Sequence, residues 1–178
     1  MDAFENLISL LLRRQGYWTI PSYKVDITKD EKRLIDRPSS PRWELDIVAY
    51  KGSTNEVLAV ECKSYLDSTG VLFHKGRLEP EGRYKLFNES NLRTIVINRL
   101  KTQLQEEGFC APDPKITLCL AAGKIATRGD SDGLAAYFSL NGWYLFTPDW
   151  IRQQLITASE SGYENDIAYV VSKLLLRK

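Results

Sequence analysis

The feature that most narrows the folds open to this chain is a pair of apolar, alternating runs separated by a short polar segment. In Trp43–Tyr50 the side chains alternate as a strand requires, with Trp43, Leu45, Ile47 and Ala49 on one face and Glu44, Asp46, Val48 and Tyr50 on the other. Val57-Leu58-Ala59-Val60 is β-branched and apolar, and Glu61-Cys62-Lys63 completes the run. Val57, Ala59, Glu61 and Lys63 share one face, and Leu58, Val60 and Cys62 the other. The intervening Lys51-Gly52-Ser53-Thr54-Asn55-Glu56 suits a hairpin connection.

Charges at the end of such a strand are costly to bury unless they pair or bind a cation. Folding the hairpin brings Asp46 towards Glu61 and Lys63. A salt bridge where the strand meets water satisfies the three groups. So does a hard-cation site, because Mg²⁺ takes oxygen ligands, keeps several waters and needs only two carboxylates and a carbonyl from protein. Beside such a cation, Lys63 can orient a water or stabilise charge on a phosphate. Glu44 is a second acid on the face of Asp46.

The remainder of the chain reads as further helices, strands and loops. Asp2 to Gln15 reads as a helix, with Phe4, Leu7, Ile8, Leu11 and Leu12 as its apolar stripe and Gly16 as its stop. Tyr17 to Ile27 reads as a strand that Pro21 places at an edge or bend. Residues 28–42 read as a loop with a helical turn near Lys32–Ile35. Asn91 to Glu107 is the clearest helix, carried by Leu92, Ile95, Val96, Leu100 and Leu104, and Lys115 to Ala122 is a buried strand. A helix between two strands predicts a crossover with parallel pairing.

Residues 64–89 read as a solvated connection. The alternative is a nucleic-acid grip, because Lys75, Arg77, Arg83 and Lys85 interleave there with Tyr65, Phe73, Tyr84 and Phe87. The lone histidine, His74, sits in this segment as a surface residue. Trp143–Phe146 predicts a last strand. Thr147-Pro148-Asp149 starts a helix, and Ser161 with Glu164 predicts a capping box for a final amphipathic helix carrying Ile167, Val170, Val171 and Leu174.

The 178 residues suit a single domain, 1–178, and 43% hydrophobic content supports a sizeable core. A net charge of +1 excludes the strongly basic balance of a histone-like binder, so any nucleic-acid contact must come from a local patch. Cys62, Cys110 and Cys119 lack metal-ligand spacing and read as reduced thiols, which predicts a cytoplasmic protein. No apolar run is long enough to cross a bilayer, so no membrane partner is expected.

Asp46, followed across a hairpin by Glu61-Cys62-Lys63, resembles the PD-(D/E)xK nuclease superfamily, the restriction-endonuclease-like fold. The residue before Asp46 is Leu45 rather than the proline of the family's name. The resemblance spans roughly residues 2–122 and implies an α/β fold: a central mixed sheet flanked by helices, with an α-β-β-β-α-β core followed by an extra C-terminal strand and helices. It implies a Mg²⁺- or Mn²⁺-dependent endonuclease acting on nucleic acid, chiefly DNA, and leaving a 5′-phosphate and a 3′-hydroxyl. Asp46, Glu61 and the backbone carbonyl of Cys62 would hold the metal, and Lys63 would act on the attacking water. Glu5, on the first helix, would join the site as such an acid does in many members. Relatives often work as homodimers. The competing expectation is a catalytically silent, nuclease-fold subunit of a restriction, recombination or defence complex.

Overall fold

The computed structural model of the chain describes residues 2–39 and 42–177; Ser40 and Pro41 of the expected 28–42 loop lie outside them. Helix α1 (Ala3–Arg14) starts in a capping box, where the Asp2 carboxylate accepts the Glu5 N–H and Glu5 returns to the Asp2 N–H. It stops at Gly16, whose φ of +86° is a backbone state that glycine adopts without strain.

Strand β1 (Trp18–Val25) pairs antiparallel with β2 (Trp43–Lys51), and β2 pairs antiparallel with β3 (Glu56–Lys63), with Ile47 opposite Val60. As Pro21 foretold, β1 is an edge strand. After a small hairpin of β4 (Leu72–His74) and β5 (Arg77–Glu79), helices α3 (Lys85–Asn88) and α4 (Ser90–Glu106) lead back to β6 (Lys115–Ala122). Strand β6 lies parallel to β3 along its whole length, from Glu56 opposite Lys115 to Lys63 opposite Ala122. The chain closes with α5 (Ser131–Leu140), β7 (Tyr144–Phe146), α6 (Pro148–Glu160) and α7 (Ile167–Leu176). The mixed five-stranded sheet therefore runs β1-β2-β3-β6-β7, an α/β architecture whose elements α1, β1–β3, α4 and β6 follow the expected order.

The sheet is buried on both sides. On one, Phe4, Ile8, Leu11 and Leu12 of α1 cover Leu58, Val60 and Ala121. On the other, Leu92, Val96, Leu100 and Leu104 of α4 cover Val57, Ala59 and Leu120. Burying apolar area at roughly 25 cal/mol per Å² makes these two layers the main source of stability.

Several local expectations are corrected. The 28–42 segment holds a real helix, α2 (Lys29–Leu34), because Thr28 and Glu31 complete a capping box. The 64–89 stretch is folded rather than a loose connection: Leu78, Tyr84, Leu86 and Phe87 are fully buried and Phe73 nearly so, which removes these rings from any stacking platform. Ser161 does not start the last helix. It ends α6, and Asp166 caps α7 through the Ala168 N–H. Helix α7 also docks through its polar side. Tyr169 bonds Arg14 and Lys173 donates to the Ser159 carbonyl, so Ile167 and Leu174 stay exposed.

The side-chain alternation of β2 also differs from the expected one. Trp43 and Leu45 pack in the α4-side cluster with Val48, whereas Ile47 and Ala49 pack on the α1 side. The phase slips between Leu45 and Val48, around Asp46. The β2–β3 ladder ends at Ile47 and Val60 there, and neighbouring β1 carries Ser22 at a φ of +49°. Among the described residues no helix is long and apolar enough to cross a membrane.

Candidate active site

Glu61 and Lys63 stand at the C-terminal end of β3, beside the matching end of the parallel strand β6. Open sheets present ligand sites at such carboxyl ends. The corner is tight: the Gly123 N–H donates to the Lys63 carbonyl at 2.9 Å, and a Cβ on Gly123 would fall 2.2 Å from the Ser64 carbonyl oxygen. Position 123 therefore admits only glycine without moving the backbone that follows Lys63.

The slip in β2 aims Asp46 across this end. Its Oδ2 accepts the Cys62 N–H at 2.6 Å, replacing a strand-to-strand hydrogen bond with a side-chain one. Lys63 Nζ stands 3.5 Å from Glu61 Oε2 and 3.9 Å from Asp46 Oδ2, and donates to the Cys62 carbonyl at 3.2 Å. The three charged side chains are 15–24% exposed, so they are mostly withdrawn from water while still reachable.

Two carboxylates share one ammonium. Burial and then the Asp46 charge push the Glu61 carboxyl up to about 7, more than Lys63 pulls it down. Burial works against the Lys63 ammonium, yet Glu61 and Asp46 outweigh it and hold its pKa above the ordinary lysine value. Burial, then Asp46, drives the Cys62 thiol far up. It stays a neutral thiol on the α1 side, so Cys62 offers its carbonyl rather than its sulfur.

The structure thus brings Asp46, Glu61, Lys63 and the Cys62 carbonyl together. Glu5 stands at the rim: it closes the α1 capping box, and its charge still raises both Glu61 and Cys62. Glu44 is exposed and His74 is exposed, so neither the second acid nor the lone histidine enters the cluster.

Among the described residues, no group of three His, Cys, Asp or Glu side chains gathers as a metal cluster. The donor set is instead two carboxylates and one carbonyl, all oxygens. Those donors fit a hard divalent cation that keeps several of its waters.

Sequence reasoning missed the neighbours of Glu61. Trp43, Tyr84 and Lys85 line a cleft of about 210 Å³ on which Glu61 also opens. The basic residues of 75–85 carried a signal for this; Trp43, on an alternating strand, carried none.

Comparison of the chain with models of protein families, with curated proteins and with solved structures returns no match.

Proposed function

We propose that the chain is a divalent-metal-dependent hydrolase of phosphodiester bonds in nucleic acid, with DNA as the first substrate to test. The observation that carries this reading is the convergence of Asp46, Glu61 and Lys63 at one strand end, with Lys63 Nζ 3.5 Å from Glu61 Oε2 and 3.9 Å from Asp46 Oδ2. The resemblance of Asp46 and Glu61-Cys62-Lys63 to the PD-(D/E)xK pattern, in a matching order of helices and strands, supports it further.

Asp46, Glu61 and the Cys62 carbonyl would hold Mg²⁺ or Mn²⁺, with Glu5 near enough to add negative charge. Bound there, such an ion neutralises the scissile phosphate and lowers the pKa of a coordinated water. Lys63 donates hydrogen bonds from Nζ, fixing the attacking water and offsetting charge on the phosphoryl oxygens in the transition state. Asp46 keeps its orientation through the Cys62 N–H, so its carboxylate is preorganised before substrate arrives. The partly closed setting strengthens these charge interactions relative to bulk water.

A second reading has its own observation. Lys63 already lies within ion-pair distance of both acids, so the corner is stable as a structural ion pair in a silent binding module. The two readings separate on supercoiled, linear, single-stranded and branched DNA and on RNA, each with Mg²⁺ or Mn²⁺. Cleavage that chelator, Asp46→Ala and Lys63→Ala all abolish supports the hydrolase. Binding without cleavage supports the silent module.

A further inference from the structure

Helix α7 turns its apolar side outward. Ile167, Leu174 and Leu175 are 73–78% exposed, and Val171 is 43% exposed. At 3.6 residues per turn these four form one continuous stripe. Tyr169 and Ser172, on the opposite side, are buried. Polar contacts fix that orientation. The Tyr169 hydroxyl accepts from Arg14, and Lys173 donates to the Ser159 carbonyl at 3.1 Å and to that of Ser161. The helix cannot roll to hide its stripe without giving up these bonds. Large aliphatic side chains left open side by side make a patch on the order of a few hundred Å², the size a soluble protein shows at an interaction face.

The charges around the stripe say what covers it. Glu164 and Asp166 stand before the first turn of α7, and the exposed Arg177 follows the last. Asp166 and Arg177 are about three helical turns apart, so both sit on one flank of the stripe. An antiparallel pair of helices sets each flank against the same flank of its neighbour; a parallel pair sets opposite flanks together. Antiparallel self-pairing therefore matches acid to base. With a two-fold axis at Val171, Ile167 meets the partner's Leu175 and Val171 meets the partner's Val171. Arg177 then reaches the gap between the partner's Glu164 and the partner's Asp166. The helix dipoles also oppose favourably in this arrangement. A helix that lies on a membrane carries a Lys- and Arg-rich polar face instead. Flanks of both signs fit a second copy of the chain better than a lipid surface.

We propose that the outward face of α7 is the contact of a homodimer, in which α7 packs antiparallel on the partner's α7 about a two-fold axis at Val171. Two such faces approach the roughly 1,200 Å² at the low end of specific interfaces, which sets the dissociation constant in the micromolar range. The dimer leaves the acid cluster free. Arg14 holds α7 at the C-terminal end of α1, whereas Glu5, which adds its charge to Glu61, lies about 14 Å away along that helix. The dimer is independent of the hydrolase reading.

The test is sedimentation velocity of the full chain over roughly 1–200 μM, a span that brackets a micromolar dissociation constant. Wild type should rise with concentration from the 20.3 kDa of one chain towards twice that mass. Leu174→Glu changes a side chain that is exposed in the single chain. It should melt within a few degrees of wild type and weaken the dimer at least tenfold. Arg177→Glu should weaken it several-fold at low salt, with the difference shrinking at high salt as the charges are screened. Oxidative crosslinking reads the orientation. Val171→Cys should join to itself, and Ile167→Cys mixed with Leu175→Cys should crosslink faster than either does alone; wild type controls for the three native cysteines. Wild type that stays monomeric throughout overturns the dimer. If that monomer binds vesicles of phosphatidylcholine and phosphatidylserine and Leu174→Glu does not, the face belongs to a membrane instead. A dimer that Leu174→Glu leaves intact has its contact elsewhere, which also overturns the proposal. Faster self-crosslinking of Ile167→Cys and of Leu175→Cys means parallel helices and overturns it as well.

Discussion

The Asp46 carboxylate and the Cys62 backbone are joined by one hydrogen bond of 2.6 Å, from the Cys62 N–H to Oδ2. The next atoms of the same residue reverse the polarity, because the Cys62 carbonyl accepts from Lys63 Nζ. A single residue of β3 thus orients the acid on one side and the ammonium on the other. The placement of both charges depends on the backbone of β3 as much as on their own rotamers.

Asp46→Asn tests charge separately from shape. The amide oxygen can still accept the Cys62 N–H, so we expect a melting temperature within a few degrees of wild type. Divalent-cation binding, read by calorimetry, should fall at least tenfold, and cleavage should fall with it. Retention of wild-type metal affinity would remove Asp46 from the ligand set.

Lys63→Met removes the ammonium and keeps much of the stem. Cleavage should drop by about 10²- to 10⁴-fold in kcat, the range for loss of a positioned charge or proton-transfer group. The Glu61 carboxyl, deprived of its cationic neighbour, should titrate higher still. An NMR titration of the side-chain carboxyl carbons in metal-free protein reads this directly, and a downward move would contradict it.

The stability of the metal-free protein should depend on pH through Glu61. Its carboxyl holds a proton up to about 7 in the folded chain, against an ordinary value of 4.5. Between those values the native state binds more protons than the unfolded one. Stability from this group is therefore complete below pH 4.5 and is lost as pH rises through 7, by on the order of 1–3 kcal/mol. Urea denaturation in chelator from pH 4.5 to 8 should show the decline. Glu61→Gln should flatten it, and an identical slope in that variant would rule Glu61 out as its source.

Gly123→Ala should damage the site from a distance. The added carbon meets the Ser64 carbonyl oxygen at 2.2 Å, so the chain after Lys63 must shift. We expect a loss of 2 kcal/mol or more, in line with the cost of overpacking, together with impaired cleavage by the folded fraction. Leu100→Ala, on α4, serves as the contrast. It should cost about 2–5 kcal/mol while leaving kcat per folded molecule unchanged.

Much of the architecture was legible because the signals are local. Strand β6 occupies Lys115–Ala122 as its alternation predicts, and α4 lies within a residue of its expected bounds. Thr147 caps α6 by accepting the Trp150 N–H, ahead of Pro148 at the first helical turn. Edge placement of β1 followed from Pro21. Segment 64–89 was harder to read. Its elements are three or four residues long, too short to show a period, and its buried rings are held by partners distant in sequence. Tyr137, for example, donates to the Phe87 carbonyl across fifty positions. Helix α7 misled for a related reason: the helix was expected, but Ile167, Val171 and Leu174 of its apolar stripe stay exposed, because Arg14 and Ser159 on other elements hold its Tyr169 and Lys173.

The sequence alone determined which residues could meet at the hairpin end, since a strand's two-residue period and a short turn leave few choices for Asp46, Glu61 and Lys63. Tertiary structure decided how they meet. The slip of β2 around Asp46, the glycine corner at Gly123 and the cleft joining Trp43 to Tyr84 each require chain segments far apart in sequence to press on one another. Periodicity records which way a side chain points along its own strand; it does not record what another segment brings opposite.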